Sequence, residues 1–155
     1  MKKIKKRSEC PISFSLDFVG DKWTLLIIRD IVLNEKNTFG DFLQSAEGIA
    51  SNVLTDRLKM LLAEDILLKY PVPGKPRIAY CLTEKGVGLI PVVIELGIWG
   101  TARTNSEVKK ELSAAIKKDK LSVIKKLCER HLDIFQLRKK ALEDNSRKQT
   151  VSTSK

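Results

Sequence analysis

The stretch from residue 48 to residue 80, GIASNVLTDRLKMLLAEDILLKYPVPGKPRIAY, constrains this chain more than any other. Leu54, Leu58, Leu61 and Leu62 recur at i, i+4, i+7 and i+8, which puts one apolar stripe on a helix starting near Ser51. Asn52, Asp56 and Lys59 fall opposite that stripe, with Ser51 and Thr55 near the N-terminal end. Two β-rich runs follow, 66–72 and 77–82, and the Pro-Gly-Lys-Pro at 73–76 between them is turn chemistry. A helix with one wet face, followed at once by a hairpin with a basic tip, predicts a recognition helix and a β-wing.

The segments upstream complete the motif. Pro11 suits a first helical turn, with Cys10 at or near the cap, and Gly20 ends the helix. Asp21 caps a second helix over 22–33, whose body WTLLIIRDIVL is apolar nearly all round and so predicts a central, buried element. Thr38 caps a short third helix over 39–46 that buries Phe39, Phe42 and Leu43. Glu47-Gly48 then turns the chain into the helix from Ser51. The third and fourth helices make a helix-turn-helix.

Downstream, Thr83 caps a long apolar helix over 84–100, with Pro91 expected to bend it. A segment this apolar must pack on its own domain and on a partner. Thr104 and Glu107 read as a capping box for a helix carrying Val108, Leu112, Ala115 and Ile116. Asp119 caps a last helix with Leu121, Ile124, Leu127, Cys128, Leu132 and Phe135 on one face. The expected organisation is a basic arm over 1–9, a winged helix-turn-helix with dimerisation helices over 10–103, a helical extension over 104–142, and a disordered tail over 143–155. The fold class is mainly α with a small two-stranded β-wing.

Charge narrows the function. The chain carries a formal +10, distributed as +4 over residues 1–9, −1 over 10–104 and +7 over 105–155. The helix-turn-helix is therefore near neutral, but 66–80 holds Lys69, Lys75 and Arg77 with no acid, which is the local charge that phosphate contact needs. Cys10, Cys81 and Cys128 form no CxxC pair and stand with a single histidine, which argues against a structural metal site. Widely spaced cysteines fit a reducing compartment, and no apolar run is long enough to span a bilayer, so a cytoplasmic protein with no membrane partner is expected. No Ser-His-Asp set, P-loop or dinucleotide fingerprint occurs, so neither an enzyme nor a cofactor is expected.

At this point the motifs match a known pattern. CPI at 10–12, GDKW at 20–23, LLIIRDI at 25–31, FGDF at 39–42, GIASNVLTDRLKML at 48–61, AYCLTEKG at 79–86 and WG at 99–100 appear in order. With them the chain resembles the HxlR family of bacterial winged-helix transcriptional regulators, relatives of the MarR type. The resemblance covers residues 10–100. It implies a homodimer built by the first helix and the helix after the wing, bound to a near-palindromic DNA operator; a repressor rather than an activator is the expectation for the chain. Two departures stand out. Asn52 occupies a place where the family often has a basic residue, and Asp56 lies on the exposed face. The final fifty or so residues lie outside the resemblance.

The candidate contacts to DNA are Ser51, Asn52, Thr55, Arg57 and Lys59 on the helix, and Lys69, Lys75 and Arg77 on the wing. Arg57 is equally suited to an intramolecular salt bridge, and the wing charges to simple solvation. The alternative function is a winged-helix adaptor that contacts only protein. The candidate dimer contacts are Pro11, Ile12, Leu16, Leu89, Val93, Leu96 and Trp99. Cys10, at a helix N-terminus just after Lys5, Lys6 and Arg7, is placed to favour a thiolate that senses oxidants, as the resemblance implies, or to pack as a small apolar residue at the interface. Cys81, Cys128 and His131 read as structural. Trp23 and Trp99 read as core aromatics ahead of an effector pocket for a small-molecule signal. The C-terminal helices can wrap the partner, form a separate lobe or brace flanking DNA; the first is the expectation.

Overall fold

The computed structural model describes residues 8–104 and 110–152, so the lysine-rich arm over 1–7 and the Glu107 and Val108 positions lie outside the described residues. The element order is α1 (Pro11–Val19), α2 (Lys22–Leu33), α3 (Phe39–Leu43), α4 (Ser51–Ala63), β1 (Leu67–Pro71), β2 (Ile78–Leu82), α5 (Glu84–Val87), α6 (Ile90–Thr101) and α7 (Lys110–Ser152). This is a helical protein with one two-stranded antiparallel wing.

The core gathers where the sequence places its stripes. Ile27, Ile28 and Ile31 of α2 meet Phe42 of α3, Leu54, Leu58 and Leu61 of α4, and Leu67 and Leu82 at the root of the wing. Burying each such side chain contributes about 1.5–3 kcal/mol, so α2 is the element on which the rest is assembled. The caps hold as expected. Asp21 accepts from the Trp23 and Thr24 N–H groups at 2.9 and 3.1 Å, and Thr38 and Asp41 form a reciprocal capping box on α3.

The strands pair Leu67 with Leu82, Lys69 with Tyr80 and Pro71 with Ile78 on one face, and Leu68 with Cys81 and Tyr70 with Ala79 on the other. The first face turns to the core, where Tyr80 meets Phe42 at 6.2 Å between ring centroids. The second is covered by α7 through Ile134 and Leu142. At the join of wing and α5, Gly86 passes so close to β1 that a Cβ there would fall 2.2 Å from the Ile66 carbonyl oxygen.

Several expectations differ from the structure; the third helix ends at Leu43 rather than at residue 46, and Leu43 is exposed. Residues 84–100 form two helices, not one bent at Pro91; the proline sits in the first turn of α6, where its missing N–H leaves no intrahelical bond unmade. Val93 lies in the core beside Ile90 and Ile94 rather than at an interface. Trp99 is 60% exposed, with the Arg103 guanidinium over its ring at 4.2 Å, and is no core aromatic. The chain after Glu143, expected to be disordered, continues as helix to Ser152. The break expected at Asp119 is real: its backbone leaves the helical region (φ −157°, ψ 89°), and its carboxylate accepts from the Ser122 N–H at 3.0 Å as a cap does.

Candidate nucleic-acid interface

Helix α4 presents a clean division. Leu54, Leu58 and Leu61 are fully buried, while Ser51, Asn52, Asp56 and Lys59 are exposed. Thr55 is half-buried, and its hydroxyl donates back to the Ser51 carbonyl at 2.8 Å. No side chain caps the N-terminus of α4, so its first N–H groups face outward without side-chain acceptors, an arrangement that favours an anion there.

The orientation of α4 is fixed at three places. On its flank, the Arg57 guanidinium reaches the Asp21 carboxylate, the cap of α2, at 3.1 Å. At its C-terminal end, the Lys85 ammonium donates to the Glu64 carbonyl at 2.7 Å, and the Thr83 hydroxyl donates to the Asp65 carbonyl at 2.5 Å. Ahead of its N-terminus, the turn at 45–48 is tied to the buried Asp30 of α2. Asp30 accepts from Asn34 Nδ2 at 2.8 Å, from Arg29 Nη2 at 2.7 Å and from the Ser45 hydroxyl. Arg29 also bridges to Glu47 at 2.5 and 3.0 Å. Gly48 supplies the positive φ (64°) that completes the turn.

The electrostatics follow from these contacts. The hydrogen bond from Arg29 lowers the Glu47 carboxyl to about 2, and the same bond raises the Arg29 guanidinium above its ordinary value. Burial opposes ionisation of Asp41, but hydrogen bonds from the Thr38 side chain and backbone and from the Asn37 backbone hold its carboxyl below the usual range, with the charge of Arg77 adding to them. Arg77 at the wing therefore stands near α3, the helix that packs on α4.

In the wing, Val72 N–H donates to the Arg77 carbonyl at 3.0 Å and Lys75 N–H to the Val72 carbonyl at 3.1 Å, closing the tip. Lys69, Lys75 and Arg77 are all exposed. Pro11, Ile12 and Leu16 of α1 and Leu96 and Trp99 of α6 are exposed, and Leu89 is half-buried. Cys10 is exposed at the N-cap of α1. Cys81 is buried, which pushes its thiol up to about 11; burial likewise raises Cys128. An apolar cavity of about 280 Å³ lies between α2, α6 and α7, against Leu33, Ile94, Ile98, Leu112 and Ile116; neither Trp23 nor Trp99 lines it. Among the described residues no group of three or more metal-binding side chains occurs, and no helix is long and apolar enough to cross a membrane.

Sequence reasoning missed the polar network around Asp30 and left the role of Arg57 open. The signal for the first was present: an Arg-Asp pair inside an otherwise apolar helix is rarely buried unless paired.

The sequence pattern of the HxlR-like helix-turn-helix family matches residues 18–108. The chain belongs to that family. It is similar to YybR, an uncharacterized HTH-type transcriptional regulator of Bacillus subtilis, at 33% identity over 94 residues, 59% of this chain and 73% of that one. Among solved structures it is similar to one from Porphyromonas gingivalis W83 assigned to the MarR family of transcriptional regulators. The identity is 32% and the TM-score 0.55, over 64% of this chain and 97% of that one. It is also similar to the oxidized form of the redox regulator HypR, at 29% identity and a TM-score of 0.53, over 60% and 96% of the two chains. The protein is thus a transcriptional regulator of the HxlR/MarR winged-helix type. Family membership implies DNA binding.

Proposed function

We propose that this protein is a homodimeric repressor that acts in the cytoplasm by covering a palindromic operator. The observation that carries this reading is α4: a helix buried on its leucine stripe, held on three sides, and exposed along Ser51, Asn52 and Lys59 beside an acid-free wing tip. Ser51, Asn52, Thr55 and Lys59 enter the major groove; Lys69, Lys75 and Arg77 hold phosphates and set the register. Asp56 suits the amino group of a cytosine. Arg57 serves as the buttress of α4 rather than as a contact. Residues 10–103 form the DNA-binding and dimerisation module, and the rest an extension.

Ile12 and Leu16 on α1 with Leu96 and Trp99 on α6 leave an apolar surface that a second copy covers, which puts two α4 helices about 34 Å apart on one DNA face. Cys10 lies at the edge of that surface. With HypR among the similar structures, oxidation of Cys10 is the signal we assign to it, acting by shifting the two subunits relative to one another.

The test is a pair of double variants on the operator duplex. Asn52→Ala with Lys59→Ala relaxes sequence preference. Lys75→Ala with Arg77→Ala weakens binding to all sequences alike and makes the salt dependence shallower. If sequence preference and salt dependence both survive these changes, the reading is overturned. Cys10→Ser abolishes the response of binding to oxidant; an unchanged response removes Cys10 from the account.

A further inference from the structure

Helix α7 lies along the outer face of the wing. Tyr70, Ala79 and Cys81 make a small buried cluster there, and α7 closes it with Ile134 and Leu142. Between those two, the Arg138 guanidinium lies over the Tyr70 ring at 4.7 Å. Residues 134, 138 and 142 are four apart and share one helix face. Their order fixes the direction of travel. Leu127, Cys128 and Leu132 pack on the main core, and Arg138 stands at Tyr70, one residue before the end of β1. The helix therefore leaves the root of the wing and runs towards its tip. It continues to Ser152, roughly 15 Å past Leu142 at 1.5 Å per residue.

This part of the helix is basic. Residues 138–148 hold five Lys or Arg side chains against Glu143 and Asp144, and Lys139, Lys140 and Arg147 are exposed. The family pattern ends at residue 108, so none of it belongs to the shared module. A wing covered on its outer face by α7 is ordered there before it meets a ligand, and ordering costs on binding fall accordingly.

We propose that the outer half of α7 is a second DNA-contacting limb, in which Lys139, Lys140 and Arg147 bind the sugar–phosphate backbone just outside the base pairs under the wing. This deepens the DNA-binding reading above and rests on it. The contact carries no base information, so it lengthens the footprint and raises affinity without changing the sequence preferred.

The experiment compares the full-length protein with Lys139→Ala/Lys140→Ala/Arg147→Ala and with Lys125→Ala/Lys126→Ala. The control removes exposed lysines from the same helix, about 20 Å back at 1.5 Å per residue. Each is titrated from 50 to 200 mM salt against the duplex that the wild type enriches from genomic fragments, and against the same duplex trimmed by 5 base pairs at each end. On the long duplex, the limb variant should show a salt slope shallower by about 0.9 for each phosphate it no longer neutralises and a correspondingly weaker Kd, with the control matching wild type. On the trimmed duplex all three should converge. A limb variant that tracks the control on the long duplex overturns the proposal while leaving the DNA-binding reading intact. A wild type that enriches no duplex overturns both. Because the substituted side chains are exposed, unchanged thermal unfolding confirms that the comparison is between folded proteins.

Discussion

Arg57 of α4 and Asp21, the cap of α2, are joined by a 3.1 Å ion pair across 36 residues of sequence. Asp21 thereby does two jobs: it starts the central helix and holds the flank of the helix proposed to read DNA. Asp21→Ala should lower stability by about 1 kcal/mol through loss of the cap. Arg57→Ala should lower it by under about 1 kcal/mol, because both partners are partly solvated. Both should weaken operator binding by loosening α4. Urea unfolding midpoints and binding titrations on the same samples check the two effects, and the pair's own contribution follows from the double variant.

Glu47 links stability to acid. Its carboxyl is at about 2 in the folded state because Arg29 donates to it, against about 4.5 unperturbed. The unfolded chain therefore binds more protons between those two values, and stability falls as pH drops through that window. Glu47→Gln should flatten the fall between pH 4.5 and 2 while leaving the curve near pH 7 almost parallel to wild type. Unfolding midpoints across that range measure it.

His131 sets a second window. It is 4% exposed; burial pushes its proton affinity below the ordinary value, with the neighbouring Arg130 adding to the effect and a hydrogen bond with the Val32 backbone opposing it. As pH falls below about 6.5 the unfolded chain takes up the proton first, so the stability present above that pH is lost below it. His131→Phe should reduce the decline in Tm between pH 7 and pH 5.

Trp99 and Leu16 test the interface. Both are more than half exposed in the single chain, so Trp99→Glu and Leu16→Glu should leave the helical content unchanged. Sedimentation should show the wild type as a dimer and each variant as a monomer with strongly reduced operator affinity. A wild type that sediments as a monomer at micromolar concentration contradicts the proposed dimer.

The helix-turn-helix and wing were legible because each element carries its own period and its own cap. The spacing of Leu54, Leu58 and Leu61 alone marks the buried face of α4, and Pro-Gly-Lys-Pro marks the wing turn. What could not be read is which surface an apolar face meets. Helix α6 is apolar on every side, so periodicity did not separate Val93, which is buried, from Leu96, which is exposed. The stripe on α7 announces a helix and not its destination, so its packing against Tyr70 and Cys81 was out of reach. Pairings distant in sequence, such as Arg57 with Asp21 or Ser45 with Asp30, leave no local pattern at all.

The measurement that tests the central claim most directly is selection of fragmented genomic DNA by the purified, reduced protein at about 150 mM salt with excess bulk competitor, where non-specific affinity is suppressed. The account predicts enrichment of one sequence with two-fold symmetry and half-sites about one helical turn apart. Retention without sequence preference, or no retention, would contradict it.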